Sequence, residues 1–301
     1  MKTVEFEEHK LSKLSFGTVQ LGLDYGISNS RGKPTQESAN EIINYLIQND
    51  INSFDTAVAY GNSEEVLGQA LKKQEKVNIV SKVKSDLFMG DLEKIVHESL
   101  VRLSTNKLFA LLLHDSELLS AWNDKHQAKV TLLQEQGLIN YFGVSIYTSE
   151  EFDRAIKNPD IKVIQIPFNL FDQRAINDKW FKKAEKANKL IFIRSLFLQG
   201  LFFMKTDQLT GNLIESVPYL EEVHTLCNKL NLSIAEFAMA YVDSVTSSSV
   251  ILFGCDTLDQ AKENVQSYNN LPVIEQNILD FINVKFSDIP EYIVNPGQWS
   301  L

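Results

Sequence analysis

Short apolar runs of strand length recur along the whole chain. They are rich in Ile, Val, Leu and Phe, and most of them lack a strict alternation of apolar and polar positions. The runs are LSFG (14–17), INSFD (51–55), VNIVSK (77–82), LFALLLH (108–114), YFGVS (141–145), KVIQIPF (162–168), LIFIRS (190–195) and VILFG (250–254). This pattern is typical of strands that are buried on both faces, as in a parallel sheet.

Helical patterns lie between these runs. Residues 35–49 follow Pro34, and their apolar residues recur at three- and four-residue spacing, which predicts an amphipathic helix. Similar patterns cover 63–71, 92–103, 125–136, 149–157, 179–189, 219–229 with 233–244, and 257–268.

Each predicted strand is therefore followed by a helix, and there are eight such units. Alternating strands and helices imply a parallel sheet, and eight units predict a closed (β/α)8 TIM barrel of the α/β class. We expect a single domain over residues 1–301, with an N-terminal hairpin cap over 1–13 and a C-terminal helix and tail over 271–301. The alternative is an open doubly wound sheet, which is disfavoured because no GxGxxG follows any strand.

Charge and composition narrow the function. The net charge of -10, with 29 basic and 39 acidic residues, argues against a nucleic-acid partner, which requires a basic face. Two distant cysteines, Cys227 and Cys255, suggest a reducing compartment. No apolar run approaches a membrane span, and the charged start is unlike a signal peptide. We expect a cytoplasmic protein with no membrane partner, and we make no prediction of its oligomeric state.

Polar residues at the strand ends indicate where chemistry takes place. In a barrel of this kind the active site lies at the C-terminal ends of the strands. Three consecutive runs end in Asp55, Lys82 and His114, and Tyr60 follows the first of them. A lysine beside a tyrosine favours the phenolate and so is expected to lower the pKa of Tyr60. Together the four groups predict a proton donor that faces a carbonyl, with a cofactor supplying the hydride.

Four segments carry a resemblance to the aldo-keto reductase superfamily. They are GTVQLGLDYG (17–26), FDTAVAYGNSEEVLGQAL (54–71), SK (81–82) and LLLH (111–114). The resemblance implies a barrel that binds a nicotinamide dinucleotide without a Rossmann motif. It also implies that Tyr60, Asp55, Lys82 and His114 form a catalytic set, with Tyr60 protonating the carbonyl oxygen.

The same resemblance implies the cofactor contacts. Ser145 and Gln165 match residues that hold the nicotinamide carboxamide, Arg194 matches a position that stacks on the ring, and Ser195 matches a phosphate contact. For Arg194 the alternative is a surface charge at a strand end. Further contacts fall in GCDTLDQAKENV (254–265), at Asp256, Gln260, Glu263 and Asn264. NADP(H) is narrowly preferred over NAD(H), although a carboxylate at Asp256 disfavours a 2′-phosphate.

The predicted function is that of an NAD(P)(H)-dependent oxidoreductase that interconverts a small-molecule carbonyl, including a sugar-derived one, and an alcohol. One alternative is a non-catalytic nucleotide-binding barrel that acts as a regulatory or interaction subunit, because a fold does not determine a function. Another is a metal-dependent barrel hydrolase, which requires clustered histidine and carboxylate ligands. The five histidines show no such spacing, so no metal site is predicted.

Overall fold

The computed structural model describes residues 1–29, 31–72, 74 and 76–300. Strands in this part of the chain are β1 (Thr3–Phe6), β2 (His9–Ser12), β3 (Leu14–Gly17), β4 (Ser53–Asp55), β5 (Asn78–Val83), β6 (Leu108–Leu113), β7 (Ile139–Ser145), β8 (Ile161–Pro167), β9 (Leu190–Arg194) and β10 (Val250–Phe253). Helices are α1 (Val19–Gly22), α2 (Gln36–Gln48), α3 (Ser63–Leu71), α4 (Ser85–Met89), α5 (Leu92–Arg102), α6 (Asp124–Glu135), α7 (Ser149–Lys157), α8 (Arg174–Asn177), α9 (Trp180–Lys186), α10 (Val217–Leu230), α11 (Ile234–Val245), α12 (Leu258–Asn269), α13 (Gln276–Lys285) and α14 (Glu291–Val294). Short 3-10 turns connect several of them.

Strands β3 to β10 form a closed barrel in which every neighbouring pair is parallel. The (β/α)8 barrel is thereby confirmed, and the alternative of an open sheet is wrong. Element boundaries agree with the predicted ranges to within about two residues, except for the helix predicted over 179–189. That segment contains only α9, which begins after the left-handed Lys179 (φ 60°) and ends at Lys186, three residues before the predicted end.

The inner face of the barrel changes character along each strand. Because successive side chains of a strand point to opposite faces, every second residue points inward. Near the strand starts these inward positions are apolar and form one buried cluster, which includes Val80, Ala110, Leu112, Val163 and Phe192. Two residues nearer the strand ends the inward position is polar, at Lys82, His114, Gln165 and Arg194. The alternation of the strands thus gathers the polar side chains at one mouth of the barrel.

The N-terminal hairpin closes the opposite end. Strands β1 and β2 pair antiparallel, and Val4, Phe6 and Leu11 are buried in the same cluster as the barrel interior. The ring of Phe6 packs edge-on against Tyr141 of β7, with 5.1 Å between their centroids. The predicted hairpin cap is confirmed, and it leaves the C-terminal mouth as the place for a site.

The segment after residue 270 carries α13 and α14 and then packs against the loop that follows β9. Asn212 of that loop donates from its side-chain amide to the carbonyl of Gln298 and accepts from the backbone of Ser300. The predicted C-terminal helix and tail are therefore present, and the tail supports the loops above the mouth. The assignment of residues 1–301 to a single domain stays a prediction.

No helix in the described residues is long and apolar enough to cross a membrane.

Candidate active site

A cavity of about 680 Å³ opens at the C-terminal mouth of the barrel. Nearly all of the residues predicted for the site line it: Asp55, Tyr60, His114, Ser145, Gln165, Arg194, Ser195, Asp256, Gln260, Glu263 and Asn264. The remaining one, Lys82, lies beneath the cavity and contacts it through Asp55 and Tyr60. Residues from separate strands and loops are thus brought to one place.

A buried ion pair forms the floor of the site. The ammonium of Lys82 lies 2.6 Å from Oδ2 of Asp55 and 2.8 Å from the carbonyl oxygen of Thr56. The other carboxylate oxygen of Asp55 accepts from Nε2 of Gln165 at 2.8 Å. Lys82 and Asp55 are only 1% and 3% exposed. Burial lowers the pKa of Lys82 and the Asp55 carboxylate counters this effect, so the pair persists only because each charge compensates the other.

Tyr60 lies directly above this pair. Its hydroxyl oxygen is 3.5 Å from Nζ of Lys82, which also lies 4.9 Å from the centre of the phenol ring. Burial raises the pKa of Tyr60 above its ordinary value, the charge of Asp55 raises it further, and Arg194 opposes the rise. The predicted lowering of this pKa by Lys82 is wrong for the free protein, because burial and the charge of Asp55 raise it. Tyr60 therefore holds its proton at neutral pH.

His114 stands beside Tyr60 with its ring nearly perpendicular. The ring centroids are 5.4 Å apart, at an interplanar angle of 80°. Burial, with help from the charges of Lys82 and Arg194, lowers the pKa of His114 to about 4. Its Nδ1 atom is buried and has no hydrogen-bond partner among the described residues. The imidazole is consequently neutral near pH 7 and has hydrogen-bonding capacity to offer a ligand.

The loop that carries Tyr60 is held by backbone and hydroxyl contacts. Thr18 donates from its backbone and its hydroxyl to the carbonyl oxygen of Asp55, and its hydroxyl lies 2.7 Å from that of Ser63. Gly22 approaches so closely that an added Cβ would lie 1.7 Å from the carbonyl oxygen of Tyr60. The first two βα loops are therefore packed against each other, which restricts the position of the phenol.

Glu64, at the start of α3, connects this helix to two neighbouring elements. Glu64 is 2% exposed and accepts from the hydroxyl of Ser81 at 2.7 Å and from Nε of Arg102 at 2.8 Å. These contacts attach α3 to β5, the strand that carries Lys82, and to α5. Glu64 thus holds the loop that carries Tyr60 in a fixed position relative to Lys82.

Arg194 crosses the mouth from the end of β9. Its guanidinium donates to the carbonyl oxygen of Ile146 at 3.0 Å and to the hydroxyl of Ser195 at 3.2 Å, and it lies 4.0 Å from the centre of the Tyr147 ring. Arg194 is half-buried and lines the cavity, so it is not a fully solvated charge, and its contact with a cofactor stays a prediction. Tyr147 was missed by the sequence reasoning, although its place directly after β7 is a usable signal.

At the far end of the cavity the carboxylate of Asp256 is incompletely satisfied. Its Oδ1 atom is buried and has no hydrogen-bond partner among the described residues. Burial raises the pKa of Asp256, and the charge of Arg31 opposes the rise. Oε1 of Gln260 accepts from the backbone N–H of Asp256 at 2.7 Å. Gln260 was predicted to contact the cofactor, and this oxygen already has a partner within the protein. Arg31 is a second residue that the sequence did not indicate.

The segment that follows β9 has an unusual backbone. Ser195, Leu198 and Gln199 have φ of 62°, 46° and 51°, and Gly200 has φ of 91°. Non-glycine residues adopt this left-handed region at a cost, and such strain is concentrated at functional sites. Successive backbone N–H groups in conformations of this kind make concavities that bind anions. The segment lines the cavity between the Tyr60 end and the Asp256 end.

The described residues contain no group of three or more His, Cys, Asp or Glu side chains arranged to hold a metal ion. The alternative of a metal-dependent hydrolase therefore lacks its ligand set in this part of the chain.

Several known oxidoreductases are similar to this chain in sequence or in fold. The chain is 24% identical over 292 residues to an uncharacterised oxidoreductase of Bacillus subtilis, which covers 89% of this chain and 90% of the relative. It is 24% identical over 258 residues to an NADH-specific methylglyoxal reductase of Escherichia coli, covering 73% and 79%. The structure of a glycerol dehydrogenase of Gluconobacter oxydans superposes with a TM-score of 0.75 at 22% identity, covering 96% and 97%.

The sequence model of the Aldo/keto reductase family matches residues 13–281, a range that contains the whole barrel and every residue of the site. The chain belongs to the aldo/keto reductase family.

Proposed function

We propose that this protein is an NAD(P)(H)-dependent oxidoreductase that interconverts a small carbonyl compound and the corresponding alcohol, with Tyr60 as the proton donor. The observation that carries the proposal is a half-buried, protonated phenol placed between a compensated ammonium and a neutral imidazole, at the mouth of a ligand-sized cavity. Such a set performs proton transfer and requires a separate source of hydride.

The residues along the cavity fit a nicotinamide dinucleotide. A volume of about 680 Å³ lies within the usual range for small-molecule sites, which is about 300 to 1,000 Å³. Ser145 and Gln165 would hold the carboxamide, and the left-handed segment from Ser195 would hold the phosphates. Asp256, Gln260, Glu263 and Asn264 line the end left for the adenosine. Nε2 of Gln165 donates to Asp55, so the side-chain oxygen of Gln165 remains to accept a hydrogen bond from the cofactor.

Each residue of the set then has a defined part in carbonyl reduction. A bound reduced cofactor supplies a hydride to the carbonyl carbon. The hydroxyl of Tyr60 gives its proton to the carbonyl oxygen, and the neutral His114 donates a hydrogen bond to the same oxygen. Lys82 stabilises the phenolate that is left, and Asp55 holds Lys82 in place. The substrate gains one hydride and one proton, the cofactor is oxidised, and the reverse sequence oxidises an alcohol.

The substrate class follows from the polarity of the mouth. Tyr25, Gln20 and Asn29 line the cavity together with the proton-transfer set, so the pocket offers hydrogen bonds as well as apolar surface. Two of the three proteins compared above are a methylglyoxal reductase and a glycerol dehydrogenase, and both names indicate small oxygenated molecules. We propose small polar aldehydes and ketones, including open-chain sugar aldehydes, as the compounds to screen.

Replacing Tyr60 by Phe tests the proton donor. The variant removes one hydroxyl from a half-buried ring, so the cofactor should still bind while turnover falls by about 10² to 10⁴, the usual contribution of a positioned acid. The measurement is nicotinamide absorbance with a panel of aldehydes, together with a fluorescence titration of cofactor binding. Tyr45→Phe, on the outer helix α2, is the matched control. If the wild-type protein binds cofactor and reduces no carbonyl, the non-catalytic nucleotide-binding barrel is the correct interpretation.

Substitutions at Lys82 and Asp55 should separate the effect on the free energy of unfolding from the effect on turnover. Lys82→Met leaves the Asp55 charge buried and unpaired, which should cost about 3 kcal/mol of unfolding free energy and abolish turnover. The double variant Lys82→Met with Asp55→Asn removes both charges, so it should recover part of this stability and none of the activity. Urea unfolding and steady-state rates measure the two effects. Wild-type rates in Lys82→Met would contradict the mechanism.

His114 predicts a specific dependence of stability on pH. Its pKa falls from 6.5 in the unfolded chain to about 4 in the folded protein, so the unfolded chain binds the proton more readily. The free energy of unfolding should therefore decrease as the pH falls from 6.5 towards 4, by at most about 3 kcal/mol. Urea unfolding of the wild type and of His114→Gln should show the larger decrease in the wild type. Identical pH dependence would contradict the assigned pKa.

Asp256 predicts which dinucleotide is preferred. The sequence alone favours NADP(H) narrowly, but an unpaired buried carboxylate oxygen repels a 2′-phosphate and accepts a hydrogen bond from a ribose hydroxyl. We expect NADH to bind more tightly than NADPH, and Asp256→Ser to raise the affinity for NADPH relative to NADH by about tenfold. Asp259→Ser, which removes an exposed carboxylate three residues further along the chain, in α12, is the control. Tenfold tighter binding of NADPH by the wild type would refute this expectation.

A further inference from the structure

Arg194 brings a positive charge to the mouth that its contacts do not neutralise. The guanidinium contacts a carbonyl oxygen, a hydroxyl and the face of an aromatic ring, at Ile146, Ser195 and Tyr147. None of these three partners carries a negative charge. A half-buried guanidinium that pairs with no carboxylate of the described residues is less screened than a surface charge, so its field extends into the cavity that it lines.

The other charges near Tyr60 are already balanced. Lys82 forms an ion pair with Asp55 at 2.6 Å, and His114 is neutral near pH 7 because burial and neighbouring charges lower its pKa to about 4. The charge of Arg194 acts on all three members of the proton-transfer set, since it contributes to the pKa of Tyr60, Lys82 and His114. Arg194 is therefore a positive charge that acts on the whole proton-transfer set without belonging to the Lys82–Asp55 ion pair.

Hydride transfer places the nicotinamide ring inside this field. The carbonyl oxygen has to contact the hydroxyl of Tyr60, and the ring has to contact the carbonyl carbon, so the ring lies within a few ångströms of the same groups. The reduced ring is neutral, and the oxidised ring carries one positive charge. The phosphates are common to both forms, so a comparison of the two forms isolates the charge of the ring.

We propose that Arg194 makes the cofactor site bind the reduced nicotinamide more tightly than the oxidised one and so directs the protein towards carbonyl reduction. The inference rests on the function proposed above and adds the preferred direction. Weaker binding of the oxidised form also speeds its release after each reduction. The overall equilibrium between carbonyl and alcohol is unchanged, because the protein alters only the affinities of its two bound states.

The test is the ratio of dissociation constants for the oxidised and reduced forms of one dinucleotide, measured by titration at low salt without any substrate. Arg194→Gln removes the charge and should lower this ratio by about tenfold, the order expected for one partly screened charge. Arg194→Lys keeps the charge and should retain most of the ratio. Arg154→Gln, which removes an exposed arginine paired with Glu150 on α7, should leave the ratio unchanged.

A second measurement needs no variant. In the wild type the ratio should fall as the ionic strength rises, because added salt screens a half-exposed charge. An unchanged ratio in Arg194→Gln, or equal losses in the Gln and Lys variants, would overturn the proposal while leaving the proposed function in place. Failure of the wild type to bind either form of the cofactor would instead overturn the proposed function, and the present inference with it.

Discussion

One buried ion pair organises the mouth of this barrel. The Lys82 ammonium lies almost wholly out of water, a position that is tenable only with a charged partner and further oxygen ligands. Asp55 and the carbonyl of Thr56 provide them, and Gln165 satisfies the second oxygen of the carboxylate. The contacts join β4, β5 and β8 across the barrel, so the pair restricts three strands at once and defines the surface on which Tyr60 lies.

The same pair determines the resting protonation of the site. Because Asp55 compensates Lys82, the ammonium does not draw the proton from Tyr60, and burial keeps that phenol protonated. His114 is kept neutral by burial and by the neighbouring positive charges. The free protein therefore holds a proton donor and an uncharged hydrogen-bonding imidazole side by side, which is the state that carbonyl reduction requires at its start.

The barrel and the positions of the candidate site residues could be predicted from the sequence because both follow from local patterns. Strands buried on two faces leave continuous apolar runs, and the last inward residue of a run marks the mouth, which places Asp55, Lys82 and His114. The contact between Arg194 and Tyr147 could not be predicted, since it joins the ends of two strands that are far apart in the chain. The unpaired oxygen of Asp256 and the left-handed Lys179 likewise depend on packing that leaves no periodic signal.

The hairpin β1–β2 fills the N-terminal end of the barrel with apolar side chains that are continuous with its interior. The ammonium of Lys82 thus has apolar packing behind it, and the cavity above it is its access to water. Under the proposed function, a proton given up by Tyr60 has to be replaced through that cavity, beside His114. The proposed dinucleotide would enter by the same opening. Reprotonation of Tyr60 and exchange of the cofactor would then share one passage, so the fold would constrain the order of these two events.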